Sequence, residues 1–256
     1  MTPNPADCAS METIDDAITA MDGLIDRALD TGDPRGYFTC VYRSVTARVR
    51  DGIRAGEFDD CARMERFDVA FARLYLDAAD GFDGGREISR SWRVVFEAPP
   101  TALALQHVMA GMNAHINLDL GLAAAQVQRG TPVAELQADF ERLNDVLAAM
   151  IDRMQEALTH TAPWTAVADQ WAGRVDELVS GWSIEYARGR AWGFAEQLSL
   201  AQGQEEHDAL VAARDARVAS LGARIIDPPL PLRWFTGLAA TRERADLRAV
   251  MDALLR

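Results

Sequence analysis

The residues with most chemical capacity in this 256-residue chain are gathered in one stretch, from Leu105 to Leu120. It holds His107, Asn113, His115, Asn117 and Asp119 among small and apolar side chains. His115 and Asp119 are four residues apart, so on a helix their side chains meet on one face. An imidazole beside a carboxylate can serve as an oriented general base. The same two groups can ligate one divalent metal with further ligands from elsewhere, as the spacing of the H-E-x-x-H zinc motif shows. Asn113 and Asn117 form a second pair on nearly the opposite side of the helix and are read as orienting members of the catalytic set. His107 lies two turns earlier, about 12 Å along the axis by the helical rise, too far to share an ion with Asp119. It is expected to touch substrate instead. The competing reading is a core polar network in which these His and Asn side chains tie several helices together.

Other residues are expected to complete such a site. Asp68 and Tyr75 fall on one face of a helix, two turns apart, while Arg73 points away from them. Tyr42 and Arg43 lie in an apolar stretch. A buried arginine needs a carboxylate, so Arg43 or Arg73 is expected to pair with Asp68 or Asp119, or Arg43 to fork onto a substrate carboxylate or phosphate. Trp164, Trp171, Trp182 and Trp192 cluster with Tyr186 and Phe194. They build core or line an aromatic pocket, and Trp192 is read as a substrate contact.

Composition removes many alternatives. All 26 basic residues are arginine, which excludes Schiff-base chemistry, pyridoxal phosphate attachment, a P-loop lysine and a Ser-Lys dyad. There is no G-x-S-x-G elbow, no G-x-G-x-x-G and no terpene-synthase D-D-x-x-D box. Nicotinamide and flavin chemistry do not fit. A net charge of -13 disfavours a nucleic-acid or anionic-membrane surface. Cys8, Cys40 and Cys61 are too few and too scattered for a disulfide framework, which fits a reduced compartment. No signal peptide or bilayer-length apolar run is evident, so a cytoplasmic protein is expected.

The elements that must position these residues read as helices almost throughout. Periodicity predicts helices over about 11–29, 36–53, 59–79, 101–128, 163–200, 205–221 and 241–254, with a further amphipathic stripe from Leu136 to Leu158. Residues 88–96 could be a short strand, but no partner strand is evident, so a helix or irregular segment is favoured. The expectation is an all-α, single-domain bundle of about eight helices over residues 1–256, with 1–10 flexible, built around a buried central helix at about 101–128. Ala110, Gly111, Ala114, Gly121 and Ala123 to Ala125 let neighbours approach that helix closely.

Met112-Asn113-Ala114-His115-Ile116-Asn117-Leu118-Asp119-Leu120 resembles the M-N-A-H-I-N-x-D-L signature of a bacterial domain-of-unknown-function family. The segments Val41 to Thr46, Phe67 to Tyr75 and, more weakly, Arg190-Ala191-Trp192 with Ala195 and Leu198 are similar to further segments of that family. The resemblance runs from about residue 36 to the last helix. It implies an all-helical fold with His115 and Asp119 at its centre, and no particular activity.

Together these readings lead to an enzyme of small-molecule, specialised metabolism. It is expected to act on a largely apolar substrate in a cavity between helices, by cyclase-, lyase- or isomerase-type chemistry or by hydrolysis. No cofactor or a divalent metal is expected, and a homodimer is allowed. The alternative is a non-catalytic helical module that binds a ligand or protein.

Overall fold

The computed structural model describes residues 11–128, 137–143, 184–228 and 247–255. The first helix, α1 (Ile14–Thr31), starts at a capping box. Thr13 Oγ1 accepts from the Asp16 N–H at 3.2 Å, and the Asp16 carboxylate accepts from the Thr13 N–H at 2.9 Å. Two otherwise unpaired donors are thereby satisfied. Its apolar stripe, Ile14, Ala17, Ile18, Met21, Ile25 and Ala28, is buried. Gly32, with φ 71°, ends the helix in the left-handed region that glycine enters without cost.

Helix α2 (Gly36–Ala55) follows, then α3 (Cys61–Asp83), whose Asp60 cap accepts from the Arg63 N–H at 2.9 Å. Residues Arg90–Phe96 form a short helix, α4, capped by Ser89, which settles the ambiguous segment in favour of helix. Then come α5 (Ala104–Ala114), a π-helical turn (His115–Asp119) and α6 (Leu120–Val127). Beyond a helical stretch at 137–143 lie α7 (Ile184–Leu200), α8 (Gln204–Ile226) and α9 (Leu247–Leu254).

The protein is an all-helical bundle, and among the described residues there is no strand. Helix α2 lies centrally, against α1, α3, α5 and α9; α8 covers α4 and α5; α7 packs on α6 and the π turn. One buried apolar cluster runs through most of these helices, from Met11 to Leu254. A smaller one, Leu118, Phe194, Leu198 and Val218, joins the central helix to α7 and α8. The central helix is sequestered as its sequence requires: every residue from Ala110 to Gly121 is buried, its polar members included. It departs from the expected continuous α-helix only at the π turn. Most of the Leu136–Leu158 stripe, with His160, Trp164, Trp171 and Trp182, lies outside the described residues.

Candidate active site

Four elements converge on the His115 imidazole. Helix α2 supplies Phe38, Tyr42 and Thr46 at four-residue spacing, and α3 supplies Asp68, Phe71 and Tyr75 at three- and four-residue spacing; each set shares one helix face. Helix α4 contributes Trp92, and the π turn carries His115 and Asp119 themselves.

His115 Nδ1 lies 2.9 Å from Asp119 Oδ2, which also accepts the Trp92 indole N–H at 2.8 Å. Burial pushes the Asp119 carboxyl up, against the downward pull of its bonds to His115 and Trp92. Burial likewise pushes the His115 imidazole down, against Asp119, so the ring is held neutral. With Asp119 ionised, Nδ1 carries the proton and Nε2 is left as a bare acceptor.

Nε2 is buried and has no hydrogen-bond partner. Its surroundings contain more such atoms. The Tyr42 ring sits edge-on, 4.3 Å from the imidazole. The Tyr42 and Thr46 hydroxyls face one another without closing a hydrogen bond of ordinary geometry, and Asp68 Oδ2 is buried and unpartnered. The Asp68 charge reaches Tyr42, raising its hydroxyl further above the usual phenol range than burial alone does. Burial pushes Asp68 itself up to about 7, with Glu65 adding to the effect. Native interiors satisfy nearly all their buried polar atoms, so the unmet ones on His115, Tyr42, Thr46 and Asp68 set this place apart from the satisfied amides that face α8.

The expected open chamber is not formed by the described side chains. Phe71 lies parallel to the imidazole at 3.6 Å, and Phe38, Trp92 and Tyr75 surround it with ring centroids at 5.9, 6.0 and 6.2 Å. Aromatic rings occupy the space that a guest would need.

The other expected site residues separate into those brought to His115 and those kept from it. Tyr42 and Tyr75 are brought in, although the Tyr75 hydroxyl is already engaged with Thr39 Oγ1 at 2.6 Å, and Asp68 is brought to Tyr42. Arg43 is turned away: its guanidinium reaches Asp22 of α1 at 2.8 Å, not Asp68 or Asp119. Arg73 donates to the Met11 carbonyl. Trp192 is on α7, where its indole N–H donates to Glu196 at 3.1 Å and its ring meets Phe140. His107 is buried near Tyr37, and burial pushes its imidazole down to about 4.

Asn113 and Asn117 face the opposite way from the imidazole. Asn113 Nδ2 donates to the Val218 carbonyl of α8 at 2.9 Å, and Asn117 Nδ2 donates to Asn113 Oδ1 at 3.1 Å. Gln106 extends this seam, donating to the Ile225 and Ile226 carbonyls. The helix thus carries a satisfied polar face toward α8 and an unsatisfied one toward α2 and α3.

The π turn, Phe38, Phe71, Trp92, Arg214 and Asp215 are the contributors that the sequence reading missed. A π turn leaves one carbonyl without its helical donor, and Arg214 Nε bonds to the Asn117 carbonyl at 2.6 Å. Asp215 accepts the first backbone N–H groups of α4, from Arg90 at 2.8 Å and Ser91 at 2.9 Å, fixing the helix that aims Trp92. Spacing could have revealed Phe38 and Phe71, which share faces with Tyr42 and with Asp68 and Tyr75. Among the described residues no group of three His, Cys, Asp or Glu is placed to hold a metal ion.

A family model matches residues 14–228. The chain belongs to DUF5995, a family of unknown function. That span includes the π turn and every described residue around His115. No curated protein and no solved structure matches this DUF5995 member. Among the described residues no helix is long and apolar enough to cross a membrane.

Proposed function

We propose that this DUF5995 protein is an acid–base enzyme of small-molecule metabolism acting on a compact, largely apolar substrate. The observation that carries the reading is the buried, unpartnered Nε2 of His115 at the end of the Trp92–Asp119–His115 chain. A purely architectural imidazole would be expected to have both nitrogens satisfied, as the amides facing α8 are. Here Asp119 fixes the ring and its tautomer, and Nε2 takes a proton from the substrate. Asp68, with its pKa raised to about 7, is a protonated partner that returns one. Two titratable groups shifted in opposite directions, the imidazole down and the carboxyl up, suit isomerisation, elimination or hydrolysis. No step in this reading uses a metal. Tyr42 and Thr46 orient the substrate, and Asn113 and Asn117 hold the helix in register. Aromatic side chains must shift to admit a ligand.

The second reading is a non-catalytic helical module, and the tight aromatic packing on His115 favours it. One experiment separates the two. The purified chain is screened for turnover of a panel of apolar ketones, unsaturated acids and esters, alongside His115→Gln and Asp119→Asn. The enzyme reading expects turnover of at least one compound, reduced about 10²- to 10⁴-fold in variants that keep their helical circular dichroism. Absence of turnover across the panel, or variants as active as the parent, decides for the module.

A further inference from the structure

Two consecutive residues of α8 reach the two ends of the Trp92–Asp119–His115 chain by different routes. Successive helical side chains project about 100° apart, so Arg214 and Asp215 can grip two neighbouring elements at once. Both are buried. The Arg214 Nε–H donates to the Asn117 carbonyl at 2.6 Å, inside the π turn that carries His115 and Asp119. That turn closes by the Leu120 N–H donating to the His115 carbonyl, five residues back, where an ordinary helix would reach back four. Arg214 interacts elsewhere too; what matters at the site is the bond that its Nε makes.

Asp215 works at the other end. Its carboxylate accepts the Arg90 and Ser91 N–H groups, and Ser89 Oγ accepts that of Trp92 at 3.3 Å. Helix α4 has only 7 residues, too few to be stable alone, so its direction depends on this cap. That direction sets where the Trp92 indole meets Asp119. The central helix also leans on α8 through Asn113 and Gln106, but those bonds end on backbone carbonyls, which any α8 sequence would offer. Packing of Leu118, Phe194, Leu198 and Val218 already joins these helices, and burying ionisable groups is costly. Two such side chains at this place therefore indicate a need for register rather than adhesion.

We propose that Arg214 and Asp215 are positioning residues of the His115 centre: Arg214 holds the π turn and Asp215 holds α4, so that α8 sets the register in which Trp92, Asp119 and His115 meet. Their catalytic meaning rests on the acid–base reading above, whereas the register itself is read without substrate.

Nuclear magnetic resonance of the full chain follows the Trp92 indole N–H and the His115 imidazole nitrogens, assigned with Trp92→Phe and His115→Gln. Arg214→Met and Asp215→Ala are compared with Val218→Ala, which loosens the packing of α8 one turn beyond Asp215 and leaves both grips in place. Arg214→Met should turn the single Nδ1–H tautomer of His115 into a mixture, and Asp215→Ala should lose the hydrogen-bonded shift of the indole proton. Val218→Ala should keep both at their parent positions. Arg214→Lys and Asp215→Asn keep the cation or one acceptor, so they should be displaced less, in the same direction; if a truncation does not fold, its milder partner decides by the same criterion. Where a substrate is turned over, both truncations should lower kcat about ten- to a hundredfold with KM nearly unchanged. Parent resonances in folded Arg214→Met and Asp215→Ala, or equal displacement in Val218→Ala, would overturn the positioning role. Failure to find any turnover would count against the acid–base reading and leave the resonances to decide this one.

Discussion

His115 Nδ1 and Nε2 have opposite circumstances: one nitrogen is held by Asp119 and the other meets nothing. Asp68 is the neighbouring residue whose state pH should control. Its folded pKa of about 7 lies above the unfolded value of about 3.9, so between these the folded chain binds more protons. Stability from this group is therefore present at low pH and lost as pH rises through that window, then stays level. His107 works in the opposite sense: its folded value of about 4 lies below the unfolded one, so its contribution is lost as pH falls from about 6.5. Because the two windows overlap, the parent curve alone does not separate them. Urea unfolding of the parent and Asp68→Asn at several pH values does. The variant should gain on the parent by an amount on the order of a few kcal/mol between pH 4.5 and 7.5. A constant difference across that range would show that Asp68 is not perturbed. Aspartate at this position costs stability at neutral pH, the pattern expected where function and folding compete.

At the scale of elements, the central helix depends on close approach. A Cβ on Gly111 would overlap Cγ and Cδ2 of Phe38, and one on Gly121 would lie 2.7 Å from Phe194 Cδ1 and 2.9 Å from the Ala191 carbonyl. In an exposed helix, glycine to alanine gains up to about 1 kcal/mol. Here Gly111→Ala should instead lose about 1–3 kcal/mol by overpacking, measured by chemical denaturation. A gain would mean that Phe38 moves freely and the aromatic shell is loose. Much of this arrangement was legible in the sequence. The polar residues in an apolar setting marked the central helix as buried, the four-residue spacing paired His115 with Asp119, and the spacing of Asp68 and Tyr75 placed both on one face. The π turn was not legible, because nothing in His115-Ile116-Asn117-Leu118-Asp119 opposes an ordinary helical turn. Its support comes from Arg214, 97 residues later than Asn117. The pairing of Arg43 was misplaced for a related reason. Burial of its neighbours suggested an inward partner, whereas its long side chain reaches outward to Asp22, nearly half of whose side chain is exposed.

Over the whole molecule, acidic residues outnumber basic ones, 39 to 26. Surface ion pairs such as Arg54–Asp15 and Arg48–Glu57 offset some of that excess, but exposed pairs contribute little individually. Self-repulsion of the remaining charge should weaken the compact state at low ionic strength. The melting temperature is therefore expected to rise as sodium chloride increases from about 0.01 M to about 0.2 M, where screening shortens to about the spacing of neighbouring charges. A falling melting temperature would show that the ion pairs dominate. The Trp92 indole N–H, meanwhile, joins Asp119 while its ring meets Phe38, Tyr75 and Phe96. Deuterium can reach that proton only when the helices around it separate, so a single indole resonance would time the opening of the entire core.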